Sequence, residues 1–213
     1  MRFEGEWREV KLGDLGKCIR GVSYDGESDL SEGDTELTIR LFRSNNIQNF
    51  TIDLSKLQFV NTRKVKTTQI LKRNDIVVCM ANGSKDLVGK AAPFIITDKF
   101  KYTFGAFMGC FRTDENNANS EIVKFLFQSN RYRLFITNLL SGSSINNLKP
   151  SDIESIRFKL PLPEEQTAIA KVLQAADKEI QLLKNKLDKL KEQKKGLMQI
   201  LLTGKKRLRI KNK

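Results

Sequence analysis

The apolar positions of this chain follow two rhythms, and the change comes at Pro161. Beyond it, apolar residues return at alternating spacings of four and three in one register. With Leu173 as position a, the a set is Leu173, Ile180, Leu187, Lys194 and Leu201, and the d set is Ile169, Ala176, Leu183, Leu190 and Leu197. A stripe of two positions in seven is a coiled-coil seam, too narrow for a broad core, and it needs a facing helix. Pro161 and Pro163 stop what precedes, and Glu164 and Glu165 then occupy a first helical turn, where acids complement the helix dipole. Thr203-Gly204 is the natural stop, followed by the basic end KKRLRIKNK. At 1.5 Å per residue, roughly 37 residues make a rod of about 55 Å.

Before Pro161 the rhythm is shorter. Leu37–Phe42, Leu57–Val60, Asp75–Met80, Phe94–Thr97 and Ala106–Arg112 are β-branched or aromatic runs separated by Gly, Asn, Asp and Ser clusters, and each predicts a strand. Ser120–Leu140 predicts a helix, with Ser120 as N-cap and an apolar face of Ile122, Phe125, Leu126 and Phe127. The expected fold class is α+β: a mixed α/β domain over residues 1–160, then a coiled-coil helix with its basic tail over 161–213. The thirteen phenylalanines and single tryptophan read as core residues.

Charge narrows the function. Lys and Arg number 38 against 25 acids, a formal net charge of +13. Residues 164–213 hold 14 basic and 6 acidic residues, a net +8, and residues 37–163 carry +10, while residues 1–36 carry −5. Positive charge in a globular middle and again in a tail points to a polyanion, nucleic acid before a membrane surface. Histidine is absent, which removes the usual general base near neutral pH and most zinc sites. Cys18, Cys79 and Cys110 form no CxxC spacing and read as reduced thiols packed as small hydrophobes. With no apolar run of membrane-spanning length and no signal peptide at MRFEGEWREV, the expected location is the cytoplasm.

Catalytic motifs are missing. GSKDLVGK (Gly83–Lys90) fails as a phosphate loop because Ala91 stands where Ser or Thr is required. Asp75 and Asp86 are isolated acids at loop edges, expected to be solvated turn residues and not a metal cluster. Three polar loops are better candidates for chemistry. LFRSNNI (Leu41–Ile47) groups Arg43, Ser44, Asn45 and Asn46, with Arg40 just upstream. Asn82–Lys85 is the second loop, contributing Ser84 and Lys85, and Gly142–Asn147 the third, contributing Asn146. Arg and Asn are the side chains that make bidentate contacts to guanine and adenine, so Arg40, Arg43, Ser44, Asn45, Asn46, Ser84, Lys85 and Asn146 form the expected DNA face.

LPLPEEQTAIAKVL (Leu160–Leu173) and LKEQKKGLMQILLTGKKR (Leu190–Arg207) resemble the helix that follows a target recognition domain in type I restriction–modification specificity subunits. WREVKLGDLGKCIRG (Trp7–Gly21) resembles the opening of that domain, LFRSNNI its R-x-x-N-I element, and NDIVVCMANGSKDLVGKAA (Asn74–Ala92) its gDil…GS…vGk segment. The resemblance implies a non-catalytic reader of double-stranded DNA that selects the site for partner methyltransferase and motor–nuclease subunits. Those partners would bring S-adenosylmethionine, ATP and magnesium, and no cofactor is expected in this chain. Full-length members of the family carry two recognition domains and two such helices, and this chain has one of each, so it is expected to be a half-length specificity subunit.

A single seam finds its partner most simply in a second copy. The expected homodimer is antiparallel, because Lys194 would meet its own copy in a parallel pair but falls opposite Ala176 in an antiparallel one. The rival expectation is a coiled-coil scaffold or inhibitor whose globular part binds protein. Such a chain would hold DNA without sequence preference, and only at low salt.

Overall fold

A β-branched run with no polar gaps calls for a strand covered on both faces, and Ile76–Cys79 is buried at all four positions. The computed structural model describes residues 5–142 and 146–208. In chain order these form β1 (Arg8–Lys11), α1 (Leu12–Leu15), β2 (Gly16–Arg20), β3 (Leu30–Ser31) and β4 (Thr38–Phe42). There follow β5 (Ile47–Gln48), β6 (Thr51–Ile52), β7 (Gln58–Asn61), β8 (Ile76–Cys79) and β9 (Ala91–Pro93). Next come β10 (Tyr102–Phe104), β11 (Met108–Thr113), α2 (Ser120–Gln128), α3 (Asn130–Ser141), α4 (Pro150–Glu154), β12 (Arg157–Leu160) and α5 (Pro163–Leu201). The chain divides into two compact units, residues 1–167 and 168–213.

Two four-stranded sheets build the first unit, in the orders β10-β4-β7-β3 and β2-β11-β8-β9. Only the β10–β4 pairing is parallel within them. Phe42 and Tyr102 of the first sheet stack with ring centroids 5.2 Å apart. They share one apolar cluster with Val77, Cys79, Met108 and Cys110 of the second. Burial at this density is the main stabilising term of such a domain. β1 and β12 pair antiparallel and tie the two ends of the unit together, with Val10 opposite Phe158. Along β12 burial alternates strictly, as period-two side chains on a half-covered ribbon must.

Pairing registers bring four strand ends to one place. Phe42 lies opposite Phe104, and Cys79 lies opposite Met108. The loop after β4, the loop after β8 and the turn between β10 and β11 therefore leave the sheets together.

Two sequence expectations are corrected. Phe94–Thr97 is not a strand: the ladder from β9 ends where Phe94 donates its N–H to the Asp75 carbonyl at 2.7 Å. Its would-be partner turns away at Asn74, which has φ +69°. Ser120–Leu140 is two helices, with Asn119 in place of Ser120 as the first N-cap. At Ser129 the backbone is extended, and its side chain accepts from the Tyr132 N–H to cap α3. Thereafter Tyr132, Ile136 and Leu140 lie at four-residue intervals on the buried face of α3.

α5 runs 39 residues without interruption, about 58 Å at the standard rise. Within residues 168–213, Leu173, Ile180, Leu183, Leu187, Leu190 and Leu197 are all exposed, and Leu201 is half-buried. The seam predicted from spacing is present as a surface stripe that no described residue of its own unit covers. Among the described residues no helix is long and apolar enough to cross a membrane.

Candidate nucleic-acid interface

At the strand ends lies a cleft of about 1270 Å³ whose walls come from five segments. Arg43, Ser44 and Asn45 line it, together with Ala81–Gly83, Asn146 and Asn147, Gly105–Met108, and Ser23 and Tyr24. The three polar loops singled out in the sequence thus converge on one site, across 38 to 104 positions of chain.

Each loop is fixed by local chemistry. After β4, residues Ser44–Asn46 make a single 3-10 turn. The Asn46 side chain holds it: Oδ1 accepts from the Arg43 N–H at 2.8 Å, and Nδ2 donates to the carbonyls of Asp53 at 2.9 Å and Lys56 at 3.3 Å. Asn46 is only 1% exposed, so it is corrected from a base reader to the residue that displays Arg43, Ser44 and Asn45. Arg43 and Asn45 themselves are exposed. Replacing Asn46 by alanine removes the acceptor of the Arg43 N–H and the donor of the Asp53 and Lys56 carbonyls, and is expected to cost about 1–3 kcal/mol, read as a lower denaturation midpoint. Asn45→Ala, by contrast, should leave the midpoint unchanged.

The second loop is gripped by α3. Tyr132 donates its hydroxyl to the Gly89 carbonyl at 2.8 Å, and Arg133 Nη1 donates to the Val88 carbonyl at 2.8 Å. Lys85 Nζ donates to the Leu140 carbonyl at 3.1 Å, near the C-terminal end of that helix. Ser84 donates its N–H to Asn82 Oδ1 at 3.0 Å. Neither Ser84 nor Lys85 lines the cleft; both shape the loop that carries Asn82 into it.

Asn82 then joins the loops. Its Nδ2 donates to Ser44 Oγ at 3.1 Å, and its N–H donates to the Asn146 carbonyl at 3.3 Å. Asn146 Nδ2 donates to the Gly83 carbonyl at 3.0 Å. Asn146 Oδ1 is buried and, among the described residues, has no hydrogen-bond partner. Ser143, Ser144 and Ile145 of the third loop lie outside the described residues.

Arg40 stands apart from the cleft. Its guanidinium pairs with Asp34 at 2.8 Å, donates to the Tyr102 hydroxyl at 2.9 Å and lies 3.3 Å over the Phe100 ring. An arginine so engaged has no free fork for a base, and the DNA-face expectation for Arg40 is corrected to a structural one. Asp75 is also corrected. It is not a solvated turn acid but 3% exposed, held by Arg112 through Nε at 2.9 Å and Nη2 at 2.6 Å.

Ser23, Tyr24, Asn82, Asn147 and Phe107 line the cleft without being expected from the sequence. Asn82 and Asn147 sit in the very loops that were singled out, and only side-chain direction was missing. Phe107 carried no signal beyond membership of a predicted strand. The cysteines offer no chemistry to the site: burial pushes the Cys18 thiol up to about 12 and the Cys79 thiol up to about 11, and raises Cys110 as well. Among the described residues no group of three or more His, Cys, Asp or Glu could hold a metal ion.

Fold and cleft together define a mixed α/β chain with an Arg- and Asn-lined cleft, continued by a long helix with an apolar stripe. The chain belongs to the type I restriction modification DNA specificity domain family, which matches residues 4–192. It is 33% identical over 198 residues to the type I restriction enzyme StySPI specificity subunit of Salmonella potsdam, covering 93% of this chain and 42% of that one. The EcoKI specificity subunit of Escherichia coli K12 is 32% identical over the same extent. This chain therefore spans about two fifths of the length of these relatives. Among solved structures, a chain from a study of type I R-M complex assembly and conformational transition aligns with a TM-score of 0.63 at 16% identity, over 93% of this chain and 45% of that one. The HsdS subunit of Thermoanaerobacter tengcongensis aligns with a TM-score of 0.59 at 14% identity, over 87% and 40%. At these identities the structural likeness establishes the fold.

Proposed function

We propose that this chain reads DNA sequence for a type I restriction–modification assembly without catalysing a reaction itself. The observation that carries this reading is the display of the exposed Arg43 and Asn45 at one cleft, where the amides of Asn82 and Asn146 tie the three loops together. Arg43 and Asn45 match the donor and acceptor patterns of base edges in the major groove. Lys and Arg elsewhere in the basic middle supply salt-dependent phosphate contacts that position the duplex without choosing its sequence. Methyltransferase and motor–nuclease subunits would perform the chemistry with their own cofactors, in the cytoplasm where the DNA lies. The second unit fits a homodimer. Antiparallel α5 helices whose facing residue numbers sum to 370 would cover every seam layer, with Leu183 on Leu187 and Ala176 beneath the Lys194 stem. Two recognition units related by a two-fold axis would then read an inverted, split site.

Selection from a random duplex library by the full chain, at physiological salt, tests the reading. An enriched sequence is expected. Arg43→Ala and Asn45→Ala should each cost about 1–3 kcal/mol and relax one position of that sequence, whereas loss of a phosphate contact lowers affinity for every duplex alike. No enrichment, or an unchanged sequence from both variants, would overturn it.

A further inference from the structure

Among the described phenylalanines only Phe100 and Phe107 are exposed. Phe100 has a partner, the Arg40 guanidinium 3.3 Å above its ring. Phe107 is 71% exposed at the cleft, with no such partner among the described residues. A singly exposed apolar residue is ordinary on a protein surface, but this one stands in the cleft beside Asn45 and Asn82, where a ligand of the cleft would meet it.

The backbone beneath Phe107 is rigid. Met108 donates its N–H to the Gly105 carbonyl at 2.8 Å, closing a four-residue turn, and Gly105 donates to the Phe42 carbonyl at 2.9 Å. The Phe107 carbonyl accepts twice, from the N–H of Met80 at 2.9 Å and of Ala81 at 3.0 Å. Behind the turn the chain just past the end of β2 passes so close that a Cβ on Gly21 would lie 1.9 Å from the Gly105 carbonyl oxygen, a contact only glycine allows. This backbone is clamped from three sides, and it presents one apolar ring among the amides of Asn45, Asn82 and Asn146.

We propose that Phe107 is a specificity-determining residue that reads the C5-methyl group of a thymine in the major groove. The inference rests on the DNA-reading function proposed above. Amides and a guanidinium satisfy the donors and acceptors of base edges, but the thymine methyl is the one apolar feature of the groove, and it needs an apolar contact. A rigidly mounted ring beside the polar readers supplies that contact. A wedge that unstacks a base step would also use an aromatic, but it works from the minor groove, where the degenerate pattern of base edges gives the Asn and Arg readers little to discriminate.

The test replaces each thymine of the duplex selected by the full chain with uracil, which removes the methyl and nothing else. At one position per half-site the substitution should weaken wild-type binding roughly fourfold, the worth of one buried methyl group. Phe107→Ala should bind the thymine duplex at least as much more weakly and no longer distinguish uracil there, while Phe107→Leu should keep part of the discrimination. If wild type selects no duplex, the DNA-reading function itself fails. A selected duplex with no uracil-sensitive position, or an unaltered uracil penalty in Phe107→Ala, overturns this inference alone. It is also overturned if Phe107→Ala reads duplexes as wild type does but loses a methyltransferase subunit, which would make Phe107 a protein-docking residue.

Discussion

Arg112→Met should destabilise the recognition unit by about 3–5 kcal/mol, a large share of the 5–15 kcal/mol that holds a typical domain folded. Arg112 anchors β11 to the segment that leads into β8. Besides its paired contacts to Asp75, it donates to the carbonyl of Thr68 at 3.1 Å and to that of Ile70 at 2.8 Å. Asp75 also accepts from the Lys72 N–H at 2.7 Å, so its carboxylate is satisfied only as part of this set. The Asp75 carboxylate is nearly fully buried, and without the guanidinium it would keep its desolvation cost and lose its compensation. Asp75→Asn/Arg112→Met removes both charges and should recover a substantial part of the loss. Urea denaturation of the three proteins checks this. Equal midpoints for wild type and Arg112→Met would show that the pair contributes little.

The second large effect lies in α5. A Leu187→Asp chain places an aspartate against Leu183 in two symmetry-related layers of the proposed dimer. At about 2–5 kcal/mol for each disrupted core leucine, the dissociation constant should rise by roughly three orders of magnitude or more. Direction is tested by cross-linking. Ala176→Cys/Lys194→Cys should form interchain disulfides, whereas Ala176→Cys alone should not, because like positions face each other only in a parallel pair. The native thiols can stay in place: Cys18, Cys79 and Cys110 are buried, and their raised pKa values keep them protonated and unreactive near neutral pH. A sedimentation coefficient that is the same for wild type and Leu187→Asp would contradict the dimer, and ready linkage of Ala176→Cys to its own copy would contradict the antiparallel arrangement.

Much of this architecture was legible in the sequence. The seam of α5 could be read from spacing because a 3.5-residue repeat has a single geometric solution. β4, β8 and β11 were legible because their apolar runs are covered by neighbours on both sides. β2, β10 and β12 were not: GKCIR, YTF and RFKL mix polar and apolar residues and form no apolar run. The loops of the site were legible by composition, but the roles within them were not. In RSNN, composition cannot distinguish the Asn that faces the cleft from the Asn that holds the turn. The difference lies in the carbonyls of Asp53 and Lys56, which fold back over Asn46 alone. Arg40 looked equivalent to Arg43 until Asp34, Tyr102 and Phe100 were seen to surround it.

The central claim is that this chain chooses DNA sites for chemistry done by other subunits. It is tested most directly by mapping modified bases across the genome of the source cells with and without the gene. The account predicts that one methylated motif disappears when the gene is deleted, returns with the wild-type chain, and returns altered or relaxed at one position with Arg43→Ala. A methylation map unchanged by deletion would contradict it.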